Sequence, residues 1–313
     1  MTTSSDVRDA AARIAGRIRV TPVLAADPGT FPPAATVWLK LEHLQHTGSF
    51  KVRGAFNRIL SAVGAGTMPA AGVVAASGGN AGLAVAYAAA SHDLPTRVFV
   101  PASAPAVKVD RLRGYGAEVV LEGSYYADAY DAAVKHVAQT GALFCHPYDQ
   151  PEVCAGQGTL GLELLEQTGG QLDTVLIAVG GGGLMAGVAA ATEGRARVVG
   201  VEPDTIPTLH TALAAGRPVD VDVSGVAADS LGARRLGDIP YAVAARTGVR
   251  SVLVGEADIV AARALLWDRY RLAVEHGGAT ALAALLSGAY PPAEGERVAV
   301  ILCGANTDPA TLA

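Results

Sequence analysis

Apolar positions along this chain come in two alternating textures. Short β-branched runs, charged at most at their edges, cover Val37–Leu41, Val73–Ala76, Arg97–Val100, Glu118–Leu121, Thr174–Val179, Arg197–Val201 and Arg297–Leu302. Such runs read as buried strands. Between them lie Ala- and Leu-rich stretches that read as helices: Val52–Ala62, Asn80–Ser91, Pro105–Gly114, Asp128–Gln139, Gly161–Gln167, Leu184–Ala191 and Asp258–Glu275. The alternation predicts βα units around mostly parallel sheets, an α/β fold. Ligands of such sheets gather beyond the carboxyl ends of the strands, where loops turn into helices.

Two stretches without a charge, Met68–Ser91 and Thr174–Thr192, have the length of a membrane span. Glycines break each in the middle, Gly78-Gly79-Asn80 in the first and Gly180 to Gly183 in the second. Strand, glycine loop and helix account for both, so no membrane partner is expected. Half of the 313 residues are apolar and only 17% are charged, which is ample material for two lobes. The net charge of −5, with no dense Lys/Arg block, argues against a nucleic-acid partner. Cys145, Cys154 and Cys303 are an odd, widely spaced set without ligand spacing, which speaks against disulfides and structural zinc. The first residues, MTTSSDVRDAAARIAGRIRV, lack the apolar segment of a signal peptide, and a cytoplasmic protein is expected.

Four loops carry residues that folding alone does not ask for. Thr47-Gly48-Ser49-Phe50-Lys51-Val52-Arg53-Gly54-Ala55 places Lys51 in a first helical turn, where a cation is disfavoured by the helix dipole. An arbitrary lysine is most often a surface residue; the alternative is an amine held near-neutral for Schiff-base chemistry. Ser77-Gly78-Gly79-Asn80-Ala81-Gly82 opens a helix after the Val73–Ala76 strand, suiting either an ordinary glycine turn or the capture of a carboxylate by N–H groups. Val179-Gly180-Gly181-Gly182-Gly183-Leu184 spends four glycines in a row. That costs conformational entropy, which a phosphate held by backbone N–H groups would offset. Cys303-Gly304-Ala305-Asn306 ends the last strand, and taken alone Cys303 is most often a small buried hydrophobe.

GSFKVRGA, SGGNAG, VGGGGL, GVEP and CGAN, in this order and with the stretch HPYDQPEVCAGQGTLGLELL between the second and third, resemble the fold-type II pyridoxal-phosphate enzymes over nearly the whole chain. Within them the motifs are most similar to the serine/threonine dehydratases. The resemblance implies two open, twisted, mostly parallel sheet domains with helices on both faces. Residues 1–66 and 149–313 would form the large cofactor-binding domain, and 67–148 a small mobile one. It implies that Lys51 carries pyridoxal 5'-phosphate as a Schiff base and later takes the Cα proton, with Phe50 packed near the ring. Asn80 would contact the ring hydroxyl, and Ser77, Gly78, Asn80 and Ala81 would hold the substrate carboxylate. Gly180, Gly181, Gly182, Gly183 and Leu184 would wrap the phosphate, and Cys303 would face the pyridine nitrogen. A thiol there leaves the ring a weaker electron sink than a carboxylate would, favouring prompt loss of a β-leaving group. A small amino-acid substrate and a homodimer are expected.

Three departures from the family pattern bear on specificity. Related serine racemases carry a serine where Gly78 stands, which speaks against racemisation here. Thr208 stands where those racemases place a metal-binding carboxylate; Glu202 remains the candidate for a monovalent cation, not for magnesium. Ser230, after Asp229, replaces a glycine of many relatives and can re-line the substrate channel. The chain ends at Ala313, so the regulatory domain of feedback-controlled threonine dehydratases is not expected. Within the family, β-replacement and racemisation are the alternatives to elimination. Outside it, Gly181-x-Gly183-x-x-Ala186 with Glu202 fits a loose dinucleotide fingerprint but leaves Lys51 and Asn80 unexplained. A serine hydrolase at Ser230 misses the nucleophile-elbow pattern by one glycine, and the density of glycine loops speaks against a purely binding module.

Overall fold

The computed structural model describes residues 2–31 and 35–312; residues 1, 32–34 and 313, which the large-domain expectation includes, lie outside them. Twelve helices are present among the described residues: α1 Ser4–Ile14, α2 Lys51–Gly64, α3 Asn80–Ala90, α4 Ala106–Gly114, α5 Tyr126–Thr140, α6 Pro151–Gln167, α7 Gly183–Thr192, α8 Thr208–Ala215, α9 Ala228–Leu231, α10 Asp238–Thr247, α11 Glu256–Tyr270 and α12 His276–Leu286. The strands are β1 Val23–Ala25, β2 Thr36–Lys40, β3 Val73–Ala76, β4 Thr96–Val100, β5 Glu118–Leu121, β6 Leu143–Phe144, β7 Thr174–Ala178, β8 Arg197–Pro203, β9 Arg250–Val254 and β10 Arg297–Ile301. They form a six-stranded sheet, β1-β2-β10-β7-β8-β9, and a four-stranded sheet, β5-β4-β3-β6. Every pairing is parallel except β1 with β2. The fold is α/β, as expected from the βα alternation. Both charge-free stretches resolve into strand, loop and helix, and no helix among the described residues is long and apolar enough to cross a membrane.

Two expectations are corrected. The helix expected from Gly161 begins at Pro151, because Gly156, Gly158 and Gly161 are close contacts, not loop residues. A Cβ on Gly156 would lie 2.6 Å from the Arg53 carbonyl on α2, and one on Gly158 would lie 2.5 Å from the Gly187 carbonyl on α7. The helix expected over Asp258–Glu275 stops at Tyr270, where Arg271 turns left-handed at φ 54°. Glu275 instead caps α12 in an extended conformation. Strands β1, β6 and β9 were too short, or too exposed along their length, for the apolar pattern to mark.

Arg53, fully buried on α2, donates through Nε and Nη2 to Glu42 at 2.5 and 2.9 Å and through Nη2 to Glu163 on α6 at 2.8 Å. Lys40 at the end of β2 donates to the other oxygen of Glu163 at 2.5 Å and to the Thr21 carbonyl at 2.7 Å. Two cations and two carboxylates thus tie the end of β2, the start of α2 and the middle of α6. Removing one member leaves its partners charged and dry, a loss of about 3–5 kcal/mol for a buried pair. Arg53→Met should therefore lower the denaturation midpoint far more than Arg197→Met, whose pairing with Glu296 is half in solvent; parallel urea titrations of the two variants check it.

Candidate active site

Lys51 is the first residue of α2, and its position is set by the last strand as much as by its own helix. Ser49 bridges Gly304, the Phe50 N–H donates to the Cys303 carbonyl at 3.1 Å, and the Ala305 N–H donates to the Gly48 carbonyl at 2.8 Å. The loop before Lys51 is laced to the loop after β10. It is also strained: Thr47 holds φ 61°, uncommon for a non-glycine residue. The Thr47 and Ser49 hydroxyls are buried without a hydrogen-bond partner.

The Lys51 side chain is partly exposed, but its amine is desolvated. Desolvation lowers its pKa to about 8, against smaller upward pulls from Cys303, Cys154 and Glu275. Nζ donates to the Pro147 carbonyl at 2.7 Å and lies 5.0 Å from the centre of the Phe50 ring. Burial pushes the Cys303 thiol up to about 12, so it stays neutral across the physiological range. His146, missed by the sequence reading, shares a cleft with Lys51 and Ala81. Burial lowers its pKa to about 4, and its Nδ1 faces the N–H groups of Tyr148 and Asp149 at 3.2 and 2.8 Å. The ring is therefore neutral, with its proton on Nε2.

The Ser77-to-Gly82 turn lies where β3 feeds α3. Ser77 Oγ accepts from the Gly79 N–H at 3.2 Å, and the first N–H groups of α3 have no acceptor within the helix. The Asn80 side chain donates from Nδ2 to Glu275 at 2.7 Å and accepts from Asn306 at 2.6 Å. Gly78, Gly79 and Asn80 face Asp229, Glu275 and Asn306 across a second cleft. Lys108 and Arg111 of α4 close its rim, Lys108 on Asp229 at 2.5 Å and Arg111 on Asn306 at 2.7 Å. Ser230 lies nearby, its Oγ accepting from the Gly277 N–H at 3.1 Å.

Gly180 to Gly183 join β7 to α7, with Gly182 left-handed at φ 87°. Each glycine is also demanded by a neighbour. A Cβ at Gly180 would meet the Leu231 backbone, one at Gly181 the Tyr148 ring, one at Gly182 Leu236 and Pro240, and one at Gly183 the Tyr148 backbone. Protein contacts alone thus require the four glycines that the sequence reading attributed to a phosphate. The N–H groups that begin α7, Leu184 among them, still lack intrahelical acceptors, as at any helix start.

Glu202, fully buried near the end of β8, is held by the start of α8. Its carboxylate accepts from the N–H groups of Leu209 and His210, which begin α8, at 2.6 and 2.9 Å, and from the Ser251 and Thr208 hydroxyls at 2.9 and 3.1 Å. Thr208 Oγ1 also reaches the Gly180 carbonyl at 2.6 Å. No group of three or more His, Cys, Asp or Glu able to hold a metal occurs among the described residues. Lys51, Phe50, Cys303 and Asn80 are thus joined through the Gly48-to-Phe50 and Cys303-to-Asn306 loops. The glycine loop reaches Lys51 through Pro147 and Tyr148, and Glu202 lies behind that loop. Asn306 and His146 stood inside quoted motifs without a role, whereas Glu275 was concealed by the over-long helix.

The family model described as "Pyridoxal-phosphate dependent enzyme" matches residues 14–304. The L-threonine ammonia-lyase of Geobacter sulfurreducens is 38% identical over 309 residues, covering 98% of this chain and 76% of that protein. The phenylserine dehydratase of Ralstonia pickettii is 39% identical over 305 residues, covering 96% and 92%. The solved structure of maize serine racemase superposes with a TM-score of 0.91 at 31% identity, covering 99% of this chain and 95% of that one.

An amine with its pKa lowered to about 8 reacts with an aldehyde increasingly as pH rises toward that value. Loading of cofactor-free protein with pyridoxal phosphate should accelerate between pH 6 and 8. Borohydride reduction followed by peptide mapping should place the label on Lys51, and a label elsewhere would refute the assignment.

Proposed function

The chain belongs to the pyridoxal-phosphate dependent enzymes, and on that footing we propose that it removes the β-hydroxyl of a small amino acid, L-threonine or L-serine, releasing a 2-oxo acid and ammonia. Relatives named as threonine ammonia-lyase and phenylserine dehydratase over nearly the whole chain support this reading. The observation that carries it is the lacing of the Lys51 loop to the Cys303 loop, which places an amine of lowered basicity and a neutral thiol in one site.

The residues present fit pyridoxal phosphate: a desolvated lysine amine, a helix start with unpartnered N–H groups, and a buried neutral thiol. When bound, the cofactor supplies an aldehyde for an amine and a conjugated ring that withdraws electron density from Cα. Lys51 Nζ would be the amine that holds the cofactor's aldehyde and, as a desolvated amine of lowered basicity, would serve as the base for the substrate's Cα proton. Gly180, Gly181, Gly182, Gly183 and Leu184 hold the phosphate with backbone N–H groups, and Phe50 packs beside the amine. Ser77, Gly78, Asn80 and Ala81 hold the substrate carboxylate at the start of α3. Cys303, neutral where a carboxylate would be charged, would leave the bound cofactor a weaker electron sink, which suits loss of a β-substituent. In the same reading residues 1–66 and 149–313 form the cofactor-binding lobe, and 67–148 a smaller lobe that moves with substrate. The enzyme works as a cytoplasmic homodimer, a state that light scattering on the purified protein tests.

The likeness to a serine racemase favours a second reaction on the same scaffold only if an acid stands on the opposite face of the substrate. Gly78 supplies none, although its surroundings would accept one: a Cβ there would lie 3.5 Å from Val100 Cγ1, ordinary contact.

Side-by-side assays of L-threonine, L-serine and O-acetylserine, the last with and without sulfide, test the reaction. Oxo-acid release from the first two is expected, and product formed only with sulfide would replace elimination by β-replacement. Lys51→Ala should reduce turnover by at least ~10²–10⁴-fold, the usual loss with a general base. Gly78→Ser should melt as wild type does and gain exchange of the L-serine Cα hydrogen with solvent, read by deuterium incorporation into recovered substrate.

A further inference from the structure

Glu275 has no part in the chemistry above, yet it is a carboxyl group only 7% exposed that lines the same cleft as Gly78, Asn80 and Asn306. Among the other buried carboxylates, Glu42 and Glu296 pair with Arg53 and Arg197, and Glu202 is held by two backbone N–H groups and two hydroxyls. The side-chain partner of Glu275 is an amide, Asn80 Nδ2 at 2.7 Å. A Cβ on Gly304 would run into Glu275 Oε1 and push the carboxyl from its present place.

The bonds around it settle which way each amide points. Asn306 donates from Nδ2 to the Thr47 carbonyl at 2.8 Å, which can only accept, and takes a bond on Oδ1 from Arg111 at 2.7 Å, which can only donate. Asn306 Nδ2 therefore also faces Asn80 Oδ1, at 2.6 Å, leaving Asn80 Nδ2 for Glu275. The chain Glu275–Asn80–Asn306–Arg111 passes back and forth between the helices around the two sheets. Asn80 and Arg111 belong to α3 and α4, around the four-stranded sheet; Glu275 and Asn306 flank α12 and β10 of the six-stranded one. Its second member, Asn80, is the first residue of α3, next to Ala81, which shares a cleft with Lys51.

We propose that Glu275 is a positioning residue for turnover: as a carboxylate it holds the Asn80 amide, and through it seats the carboxylate-binding start of α3 beside Lys51. The inference rests on the functional reading above for what α3 binds. A carboxylate accepts about twice as strongly as a neutral group, so protonation loosens the hold. The groups facing Glu275 are Asn80 on α3, the Asn306 backbone, Asp229 on α9, Lys108 on α4, Lys51 on α2 and Cys303 after β10. Burial raises the Glu275 pKa to about 7; the Asn80 bond opposes this, Asp229 adds to it, and the Asn306 backbone and Lys108 oppose it more weakly.

The same group has an opposite effect on stability. Its pKa is higher folded than unfolded, so between pH 4.5 and about 7 the unfolded chain binds fewer protons and stability falls as pH rises. Gln removes that loss and keeps an oxygen able to accept from Asn80. A residue kept for the fold and one kept for turnover thus respond differently to Glu275→Gln.

The test uses the cofactor-loaded enzyme with Glu275→Gln and Glu275→Ala. Wild-type kcat/KM for L-threonine should climb through pH 7. Glu275→Gln should lie about tenfold lower at pH 8, the difference between a charged and a neutral acceptor, and approach wild type at pH 6. Glu275→Ala should be lower than Gln at both. Glu275→Gln should also melt at or above wild type at pH 8, with the gap closing toward pH 5. Wild-type kcat/KM in the Gln variant at every pH, or a Gln variant that melts lower at pH 8 and loses activity in parallel, would overturn the proposal. Should wild type release no oxo acid from any β-hydroxy amino acid, the functional reading falls. The pH-dependent melting gap then decides the inference, and its absence refutes it.

Discussion

The site depends on a buried cation that takes no part in its chemistry. Arg53 lies two residues beyond Lys51, dry, between Glu42 and Glu163. Those bonds fix the rotation of α2 about its axis, and with it the direction in which the first residue of the helix presents its amine. A hydrophobic residue of equal volume could fill the space but would not choose a rotation, because apolar contact is non-directional. The network costs desolvation of four charges and gives orientation in return, one attested use of buried ion pairs.

A second constraint works from the opposite end of the chain. The last strand delivers Cys303, Gly304 and Asn306 to the loop that precedes Lys51, and backbone bonds hold the two loops in register. Residues more than two hundred positions apart are therefore placed by a handful of amide pairs. Closing a loop over such a span costs entropy that contacts made elsewhere in the fold must offset. The arrangement of amine, thiol and amide is in this sense a product of the whole fold.

Much of this was legible in the amino-acid order. Parallel strands buried on both faces announced themselves as charge-poor β-branched runs, and the glycine loops stood out because glycine is a poor choice inside any regular element. What stayed hidden has two physical causes. Glycines at helix crossings look like turn residues until the neighbouring helix is known, which concealed the first half of α6. A left-handed turn at Arg271, a residue with no special tolerance for that conformation, left no mark in the pattern, so Glu275 was read as the tail of a helix. The four glycines after β7 taught the converse lesson: an anion is a sufficient reason for them, but Tyr148, Leu231, Leu236 and Pro240 are reason enough.

That crowding has a further consequence. A loop wedged on every side by protein atoms keeps its curvature whether or not an anion lies in it. In the reading proposed above, cofactor arriving from solution would meet a finished cradle and lose little free energy to ordering the backbone, which is preorganisation in the ordinary thermodynamic sense. On the same reading, release of cofactor would not unravel the loop, and stripping and reloading would proceed as simple dissociation and association, without a refolding step between them.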